Sequence, residues 1–210
     1  MKAKQKKETI KKGLLIIISG PSGSGKSTIY KEILSRNSNI LGSISVTTRE
    51  PRGAEIDGVH YYFITKEKYF ELKETGGLLE GAKVYGNYYG TPLAKVQEQI
   101  ENGKDIVFEI DIDGARQIKS KYPNAIWIFV IPPSLAILEE RLRSRATDTA
   151  EVIERRLSLA KSEIAYSEMF DYFVVNDGLS ESIKTIEGII EAERHKAYLM
   201  TDFIKKTYLD

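Results

Sequence analysis

A glycine-rich segment near the start of the chain holds the residues best suited to chemistry. It reads Gly20, Pro21, Ser22, Gly23, Ser24, Gly25, Lys26 and Ser27, which fits the pattern GxxxxGK[ST] of a phosphate-binding loop. Glycines let the backbone bend so that successive N–H groups point at phosphate oxygens. The ammonium of Lys26 can then reach the β and γ phosphates, and the hydroxyl of Ser27 can ligate Mg²⁺. We include the next residue, Thr28, in the nucleotide-binding set.

The residues on either side of this loop decide between two interpretations. The ordinary alternative is a glycine- and serine-rich turn between a strand and a helix. However, an apolar run over residues 14–19 precedes the loop, as expected of a buried parallel strand, and a helix is predicted over residues 26–36. The N-terminus of that helix would direct the positive end of its dipole at a bound anion. This context favours binding of a nucleoside triphosphate, but it does not identify what receives the phosphate.

Four later clusters of polar residues are candidates for binding a phosphate acceptor. They are Ser45–Arg52, Gly58–Phe63, Glu80 with Gly86–Thr91, and Glu109–Asp111. In the first cluster Arg49 and Arg52 stand beside hydroxyl side chains, and arginine forks suit phosphate oxygens. The last cluster ends an apolar strand, where ligands of open α/β sheets collect. Taken singly, these arginines, tyrosines and carboxylates are more often ordinary surface, core or capping residues, so the argument depends on their combination.

Composition excludes several classes of function. The 210 residues include 31 Lys plus Arg and 30 Asp plus Glu, a formal charge of +1, which argues against a nucleic-acid partner bound by a broad basic face. The chain has no cysteine and two histidines, so thiolate catalysis and cysteine-ligated zinc are excluded. The apolar run over residues 14–18 is far shorter than the roughly 20 residues of a membrane helix, and it does not resemble a signal peptide. We therefore expect no membrane partner and a cytoplasmic location.

Apolar runs and helix signals alternate along the chain, which predicts a doubly wound parallel sheet of the α/β class. The predicted strands are 14–19, 44–47, 59–65, 106–110, 125–131 and 173–175, and the predicted helices are 26–36, 65–74, from Thr91 to Gly103, from Ser134, after Asp148 and from Ser180. Thr91 with Pro92 is expected to begin one helix, and Asp148 with Glu151 resembles a capping box for another. Residues 45–90 break the alternation and are predicted to form a small mixed subdomain. Residues 1–12 hold six lysines and are predicted to be a disordered lead, with a nucleic-acid-binding arm as the alternative.

The order and spacing of several segments resemble the guanylate kinase family. These segments are SGPSGSGKSTI, SVTTREPRGAEIDGVHYYF, GNYYGTP, EIDIDGA, RLRSRATD and VND. The resemblance covers residues 13–190 and is specific, because P-loop kinases for other substrates lack the TTR-x-PR and GNYYG segments. It implies an ATP:GMP phosphotransferase that uses ATP and Mg²⁺ to give ADP and GDP for GTP synthesis and purine recycling, with dGMP as a second acceptor.

The same resemblance implies a P-loop NTPase-type core with a small mixed α+β GMP-binding subdomain and a helical lid. The implied boundaries are a guanylate-kinase-like domain over 13–195, with core segments 13–44, 92–133 and 170–210, a GMP-binding subdomain over 45–91 and a lid over 134–169.

By resemblance, the acceptor clusters divide between the base and the phosphate of GMP. The implied GMP-binding residues are Ser45, Arg49, Arg52, Glu55, Tyr61, Glu80, Tyr89, Thr91 and Asp111. Glu80 and Asp111 are expected at the N1–H and N2–H₂ donors of guanine, and hydroxyls of Ser45 and Thr91 near O6. The arginines and tyrosines are expected to hold the phosphate, with Glu55 orienting the arginines.

Three arginines of the implied lid, Arg141, Arg145 and Arg156, match residues that fold over the transferring phosphate in the family. A solvated basic helix face is the alternative, and it is weightiest for Arg141. With Lys26, these arginines would offset the charge of the phosphoryl group. The chain departs from the family pattern twice, with Asp113 where glutamine is common and Ala146 where glycine is usual.

Two other classes of function stay open at this point. A non-enzymatic guanylate-kinase-like module could bind phosphorylated peptides in the pocket of Arg49 and Arg52, although such modules usually have degraded phosphate loops. A P-loop ATPase that drives a conformational switch would leave the acceptor residues unexplained. The partners predicted are small-molecule nucleotides, and either a monomer or a homodimer is compatible with the sequence.

Overall fold

The computed structural model describes residues 12–144 and 149–209, and its strands form two sheets. The strands are β1 Leu15–Ser19, β2 Ile40–Gly42, β3 Val46–Thr47, β4 Tyr62–Phe63, β5 Leu78–Val84, β6 Asn87–Pro92, β7 Asp105–Glu109, β8 Ile126–Ile131 and β9 Tyr172–Val175. The α-helices are α1 Lys26–Arg36, α2 Lys66–Glu74, α3 Leu93–Glu101, α4 Ile112–Lys119, α5 Leu135–Ser144, α6 Ala150–Ile164, α7 Leu179–Arg194 and α8 Ala197–Ile204. A 3₁₀ turn at Ser167–Met169 and a π-helical turn at Lys205–Leu209 complete the described elements.

The larger sheet is entirely parallel, in the order β2-β7-β1-β8-β9. Every residue of the central strand β1 is buried, because helices cover both faces of the sheet. Ile16 and Ile18 pack with apolar residues of α1 and α7 on one face, whereas Leu15 and Ile17 pack with those of α3 and α4 on the other. The carboxyl ends of β1 and β7 lie side by side, since Ile18 pairs with Glu109, so the loops after both strands meet at one edge.

The smaller sheet has the order β4-β3-β6-β5 and mixes parallel and antiparallel pairs. Its core is small, with Val46, Tyr69 and Leu78 buried, and the Tyr69 ring stacks on that of Tyr88 at 5.0 Å between centroids. This sheet touches the larger one through contacts of β5 with α4.

Helices α5 and α6 form a separate pair with its own apolar cluster of Leu138, Leu142, Ile153 and Ala160. The Ser134 hydroxyl accepts a hydrogen bond from the Ile137 N–H at 3.2 Å and begins α5 as predicted. Thr149, not Asp148, is the N-cap seen at α6; Asp148 and the start of the predicted capping box lie outside the described residues. Within the described ranges, no helix has the length and apolar character needed to cross a membrane.

The α/β prediction with a parallel sheet core is confirmed, and α1 has the predicted bounds. Several local predictions were wrong. Strand β2 and helix α8 were not predicted, α7 begins one residue before Ser180, and the strand expected over 44–47 is reduced to Val46–Thr47. Thr91 belongs to β6 rather than to the start of α3, whose N-cap is Pro92, because its hydroxyl bonds to Glu80 instead.

The strand predicted over 59–65 shortens to Tyr62–Phe63 because local side chains bind the preceding backbone. The ring Nδ1 of His60 accepts from the Ile56 N–H at 3.0 Å, and Asp57 accepts from the Phe63 N–H at 2.8 Å. Such side-chain bonds offer the backbone an alternative to a sheet ladder.

Replacing Phe108 with alanine tests the packing under the larger sheet. Phe108 is 1% exposed on β7, so Phe108→Ala is expected to lower the free energy of unfolding by about 3–5 kcal/mol through lost burial and a residual cavity. Urea denaturation measures the change. The exposed Lys31→Ala on α1 is the control and should stay within about 0.5 kcal/mol of the wild type; equal effects of the two variants would contradict the assigned core.

Candidate functional site

The phosphate loop joins β1 to α1, and its glycines are required by the backbone. Gly20, Gly23 and Gly25 have φ of 149°, 92° and 93°, a region that side chains disfavour. A Cβ atom at Gly20 would lie 2.0 Å from the Val130 carbonyl oxygen, so the loop lies directly against β8. The Lys26 ammonium folds back over the loop and donates to the Pro21 carbonyl at 3.4 Å. The loop therefore has the conformation and the cation that a phosphate chain needs.

Ser27, at the start of α1, is paired with a carboxylate that the sequence analysis did not assign. Its hydroxyl donates to Oε1 of Glu109, the half-buried last residue of β7. The sequence placed Glu109 in a candidate cluster because it ends an apolar strand, but only the pairing of β7 with β1 brings it to Ser27. A hydroxyl and a carboxylate are hard oxygen donors of the kind that Mg²⁺ prefers.

Mg²⁺ is commonly held by one or two protein oxygens together with substrate phosphates. The described part of the chain contains no cluster of three or more His, Asp or Glu side chains able to hold a metal.

Asn176 supports the phosphate loop from behind. Its side-chain Nδ2 donates to the Ser24 carbonyl at 2.8 Å, and its Oδ1 accepts from the Ser182 hydroxyl at 3.0 Å. Asn176 is 6% exposed and Ser182 is 2% exposed. Because both side chains are buried, each depends on the other for this hydrogen bond. The contact is tight, since a Cβ atom at Gly25 would lie 2.2 Å from Asn176 Nδ2. Asn176 lies in the VND segment that resembles the family, but the sequence alone predicted no role for it.

The three arginines of the predicted lid differ in what the structure shows of them. Arg141, on α5, donates from Nη2 to the Asn176 carbonyl at 2.9 Å, which places its guanidinium beside the phosphate loop. Arg156 lies half-buried on α6, and its role stays a prediction. Arg145, like Ala146, lies outside the described residues.

Helix α6 also brings a carboxylate near the loop. Burial raises the pKa of Glu163, the nearby charge of Lys26 opposes that rise, and the charges of Asp111 and Asp113 add to it. Asp113, the departure from the family pattern, lies exposed in the first turn of α4. Glu163 of α6 is therefore electrostatically coupled to Lys26 of the phosphate loop and to Asp111 and Asp113 at the start of α4.

The predicted acceptor-phosphate residues converge on Arg49. Its guanidinium forms a fork on Glu55, with Nη1–Oε2 at 2.8 Å and Nη2–Oε1 at 2.9 Å, and its Nε donates to the Tyr89 hydroxyl at 3.3 Å. The guanidinium also lies over the Tyr61 ring, 5.4 Å from its centroid. Glu55 accepts from the Arg52 backbone N–H at 2.7 Å as well.

These contacts fix the charges of the pair. The guanidinium of Arg49, followed by the backbone N–H of Arg52, lowers the pKa of Glu55 to about 2, and the hydrogen bond from Glu55 raises the pKa of Arg49. Glu55 thus contacts the Arg49 guanidinium and the Arg52 backbone, and its orienting role stays a prediction.

Of the predicted base-binding residues, the structure shows Thr91 and Glu80 in direct contact. The hydroxyl of Thr91, 2% exposed, donates to Oε1 of Glu80 at 2.7 Å. Burial raises the pKa of Glu80; the Thr91 bond opposes that shift and the charge of Asp111 reinforces it. Asp111 caps α4 by accepting from the Gly114 N–H at 2.8 Å. Ser45 is half-buried before β3, and its carbonyl accepts from the Tyr62 N–H.

Comparison with known proteins points to one family. The sequence profile described as guanylate kinase matches residues 12–193. The chain is 50% identical to guanylate kinases of Carboxydothermus hydrogenoformans, over 88% of this chain and 91% of the relative, and of Clostridioides difficile, over 89% and 91%. The crystal structure of guanylate kinase from Anaplasma phagocytophilum superposes with a TM-score of 0.68 at 31% identity, covering 94% of this chain and 96% of that one.

The network behind the phosphate loop can be tested through Ser182. Ser182→Ala leaves the buried Oδ1 of Asn176 without this donor, and we expect the free energy of unfolding to fall by about 1–3 kcal/mol. Chemical denaturation measures it. Ser35→Ala deletes an equivalent hydroxyl from an exposed helical position, where it donates to the Glu32 carbonyl, and should change stability by less than about 0.5 kcal/mol. Equal stability of the Ser182 variant and the wild type would contradict a stabilising role for the bond between Ser182 and Asn176.

Proposed function

The chain belongs to the guanylate kinase family, and we propose that it transfers the γ-phosphoryl group of ATP to the phosphate of GMP, giving ADP and GDP. The observation that carries this proposal is the pairing of an intact phosphate loop with Glu80, a half-buried carboxylate held by Thr91 and coupled to Asp111. The loop suits the donor triphosphate, and the two carboxylates suit a base that presents hydrogen-bond donors.

Guanine is the purine that complements this carboxylate pair. Its edge carries N1–H and N2–H₂ donors next to the O6 acceptor, whereas adenine presents an acceptor at position 1. Glu80 and Asp111 would accept from the guanine donors, and hydroxyls of Ser45 and Thr91 would lie near O6. Adenine would leave a half-buried carboxylate facing a lone pair, and sites left with unpaired polar groups discriminate by orders of magnitude.

The phosphate of GMP would bind at the cluster around Arg49. Tyr61, Tyr89 and the guanidinium of Arg52 would complete the binding site. Glu55 binds two nitrogens of the Arg49 guanidinium. It is therefore a positioning residue, which fixes the orientation of the guanidinium. The negative charge of Glu55 also compensates the positive charge of Arg49.

Transfer itself requires positioning and charge stabilisation rather than a general base. The attacking oxygen belongs to the GMP phosphate, which is already ionised at neutral pH, so the protein need not remove a proton. Lys26 would contact the β and γ phosphates. Arg141, Arg145 and Arg156 would offset the charge that spreads over the transferring group, and closure of the helices that carry them would exclude water.

Mg²⁺ is the metal we propose beside the phosphate chain. When bound, it would neutralise charge on the β and γ phosphate oxygens. The Ser27 hydroxyl and the Glu109 carboxylate, which contact each other at the loop, are the residues that would hold it, directly or through water.

The division of labour proposed for the chain follows its two sheets. Residues 45–91, which contain β3 to β6, would be the GMP-binding subdomain, and residues 134–169, which contain α5 and α6, the lid. The parallel sheet and its remaining helices would be the core. The peptide-binding and ATPase alternatives lack the support that the intact Lys26 and the paired carboxylates give to catalysis on GMP.

Turnover with a panel of acceptors tests the proposed function. With ATP and Mg²⁺, we expect diphosphate formation from GMP, and more weakly from dGMP, but little from AMP, CMP or UMP. Lys26→Ala should lower kcat by at least about 10²-fold, because it removes a preorganised cation from the transferring phosphate. Lys31→Ala, an exposed lysine of the same helix, should match the wild type. Preference for another nucleoside monophosphate would overturn the proposal.

The raised pKa of Glu80 predicts how GMP binding depends on pH. The carboxylate form accepts from guanine, so lowering the pH through the raised pKa protonates Glu80 and should raise KM for GMP at a higher pH than an ordinary carboxyl would, while KM for ATP stays level. The GMP phosphate also titrates near pH 6, and Glu80→Gln separates the two effects because it retains the phosphate titration alone. We expect this variant to raise KM for GMP about 10- to 100-fold at pH 7.5. Identical pH profiles for the variant and wild type would contradict the role of Glu80.

A further inference from the structure

We propose that Gln117 and Lys121 are positioning residues that set guanine specificity, because they fasten the bulged segment of β5 around Glu80 to helix α4. This inference rests on the proposed function and concerns how its two base-reading carboxylates are kept at a fixed separation. Neither residue belongs to the segments that carry the family resemblance.

Glu80 lies in an irregular part of β5. Leu78 pairs with Pro92 and Gly81 with Gly90, so β5 uses one more residue than β6 over this stretch. Such a bulge re-aims side chains and disrupts the ladder locally. Here it lets Leu79 enter the core of the larger sheet, at 0% exposure, while the next side chain, Glu80, bonds to Thr91.

Close packing of the hairpin accompanies the bulge. A Cβ atom at Gly90 would lie 2.8 Å from the Glu80 carbonyl oxygen, and one at Gly81 would lie 2.4 Å from the Tyr69 hydroxyl oxygen. The backbone around Glu80 is therefore confined on the side of the smaller sheet.

On the opposite side, side chains from α4 and the turn after it bind the backbone of the bulge. The Lys121 ammonium donates to the Leu78 carbonyl at 3.0 Å and to the Leu79 carbonyl at 3.2 Å. Oε1 of Gln117 accepts from the Gly81 N–H at 3.1 Å. These three bonds lie immediately before and after Glu80 in the chain, so they fix its Cα position without touching its carboxylate.

The helix that supplies these bonds also carries the second carboxylate. Asp111 is the N-cap of α4, and Ile112, Ala115 and Ile118 bury one face of that helix on the parallel sheet. An α-helix of this length is a rigid spacer. One end of α4 therefore positions Asp111. The other end positions Glu80 through Gln117 and through Lys121, which lies in the turn after the helix. The separation of the two carboxylates becomes a property of the core rather than of the smaller sheet's own packing.

The chemistry of Lys121 makes the arrangement specific. A lysine ammonium is strongly hydrated and is usually left in solvent, yet this one binds two consecutive carbonyls of another element. Its positive charge also lowers the pKa of Glu80, opposing the effect of burial. The residue thus acts on both the place and the ionisation of the carboxylate.

Comparison of GMP with IMP as acceptors tests the proposal. IMP retains N1–H and O6 but lacks the 2-amino group, so the ratio of kcat/KM for GMP to that for IMP reports how well the two carboxylates are placed. We expect Lys121→Met, which keeps the aliphatic stem, and Gln117→Ala each to reduce this ratio about 10- to 100-fold. The loss should lie in KM for GMP, with KM for ATP unchanged. Gln117→Glu keeps an oxygen acceptor for the Gly81 N–H and should retain most of the ratio.

Lys119→Ala is the matched control. Lys119 lies on the same helix but contacts the core, with its ammonium 4.6 Å from the Trp127 ring centroid and 3.7 Å from Asp171, and its loss should leave the ratio unchanged. A ratio unchanged in the Lys121 and Gln117 variants, or rates that fall equally with GMP and IMP, would overturn the inference. A wild-type enzyme that uses IMP as well as GMP would also overturn the inference, whereas a wild-type protein that forms no diphosphate from GMP would overturn the proposed function itself.

Discussion

The backbone at Gly20 passes so close to β8 that a Cβ atom would lie 2.0 Å from the Val130 carbonyl oxygen, and the rest of the site depends on that approach. It brings the N-terminus of α1 to the edge where the parallel strands end. Gly20, Gly23 and Gly25 have positive φ angles. Glycine can adopt many other conformations, so the loop needs contacts with the rest of the protein to keep this shape. Asn176 and Ser182 hold it from behind, and the Leu138 and Leu142 side chains of α5 pack against it at Gly23.

Charge balance is the second physical theme of the molecule. A kinase of this family accepts two nucleotides rich in negative charge, yet the residues proposed for its site include Glu55, Glu80, Glu109 and Asp111. Each of these carboxylates accepts a hydrogen bond. Glu55 accepts from Arg49, and Glu109 accepts from Ser27. Asp111 caps α4, and Glu80 accepts from Thr91. Burial that raises the pKa of Glu80 is unfavourable in the empty site. Donors from a guanine base would offset that penalty, which links binding to base identity.

Local sequence signals predicted those parts that local physics decides. The phosphate loop, the bounds of α1 and the Ser134 cap follow from neighbouring residues. The motif order also grouped Arg49, Glu55 and Tyr89, which the structure brings into contact. What was missed depends on side-chain hydrogen bonds that the pattern of residue types does not reveal. Thr91 looked like a helix cap because serine and threonine favour that position, but a residue eleven positions earlier takes its hydroxyl.

The amino-acid sequence by itself therefore determined the family and the α/β class, because motif spacing and apolar periodicity are written in short segments; its nucleotide-site residues stay predictions. Tertiary structure alone decided that Glu109 meets Ser27, that Asn176 braces the phosphate loop and that Gln117 and Lys121 fasten the strand of Glu80. Each of these contacts joins residues 36 to 152 positions apart. Hydrogen bonds over such distances exist only once the core has packed and fixed both partners, and no local pattern encodes them.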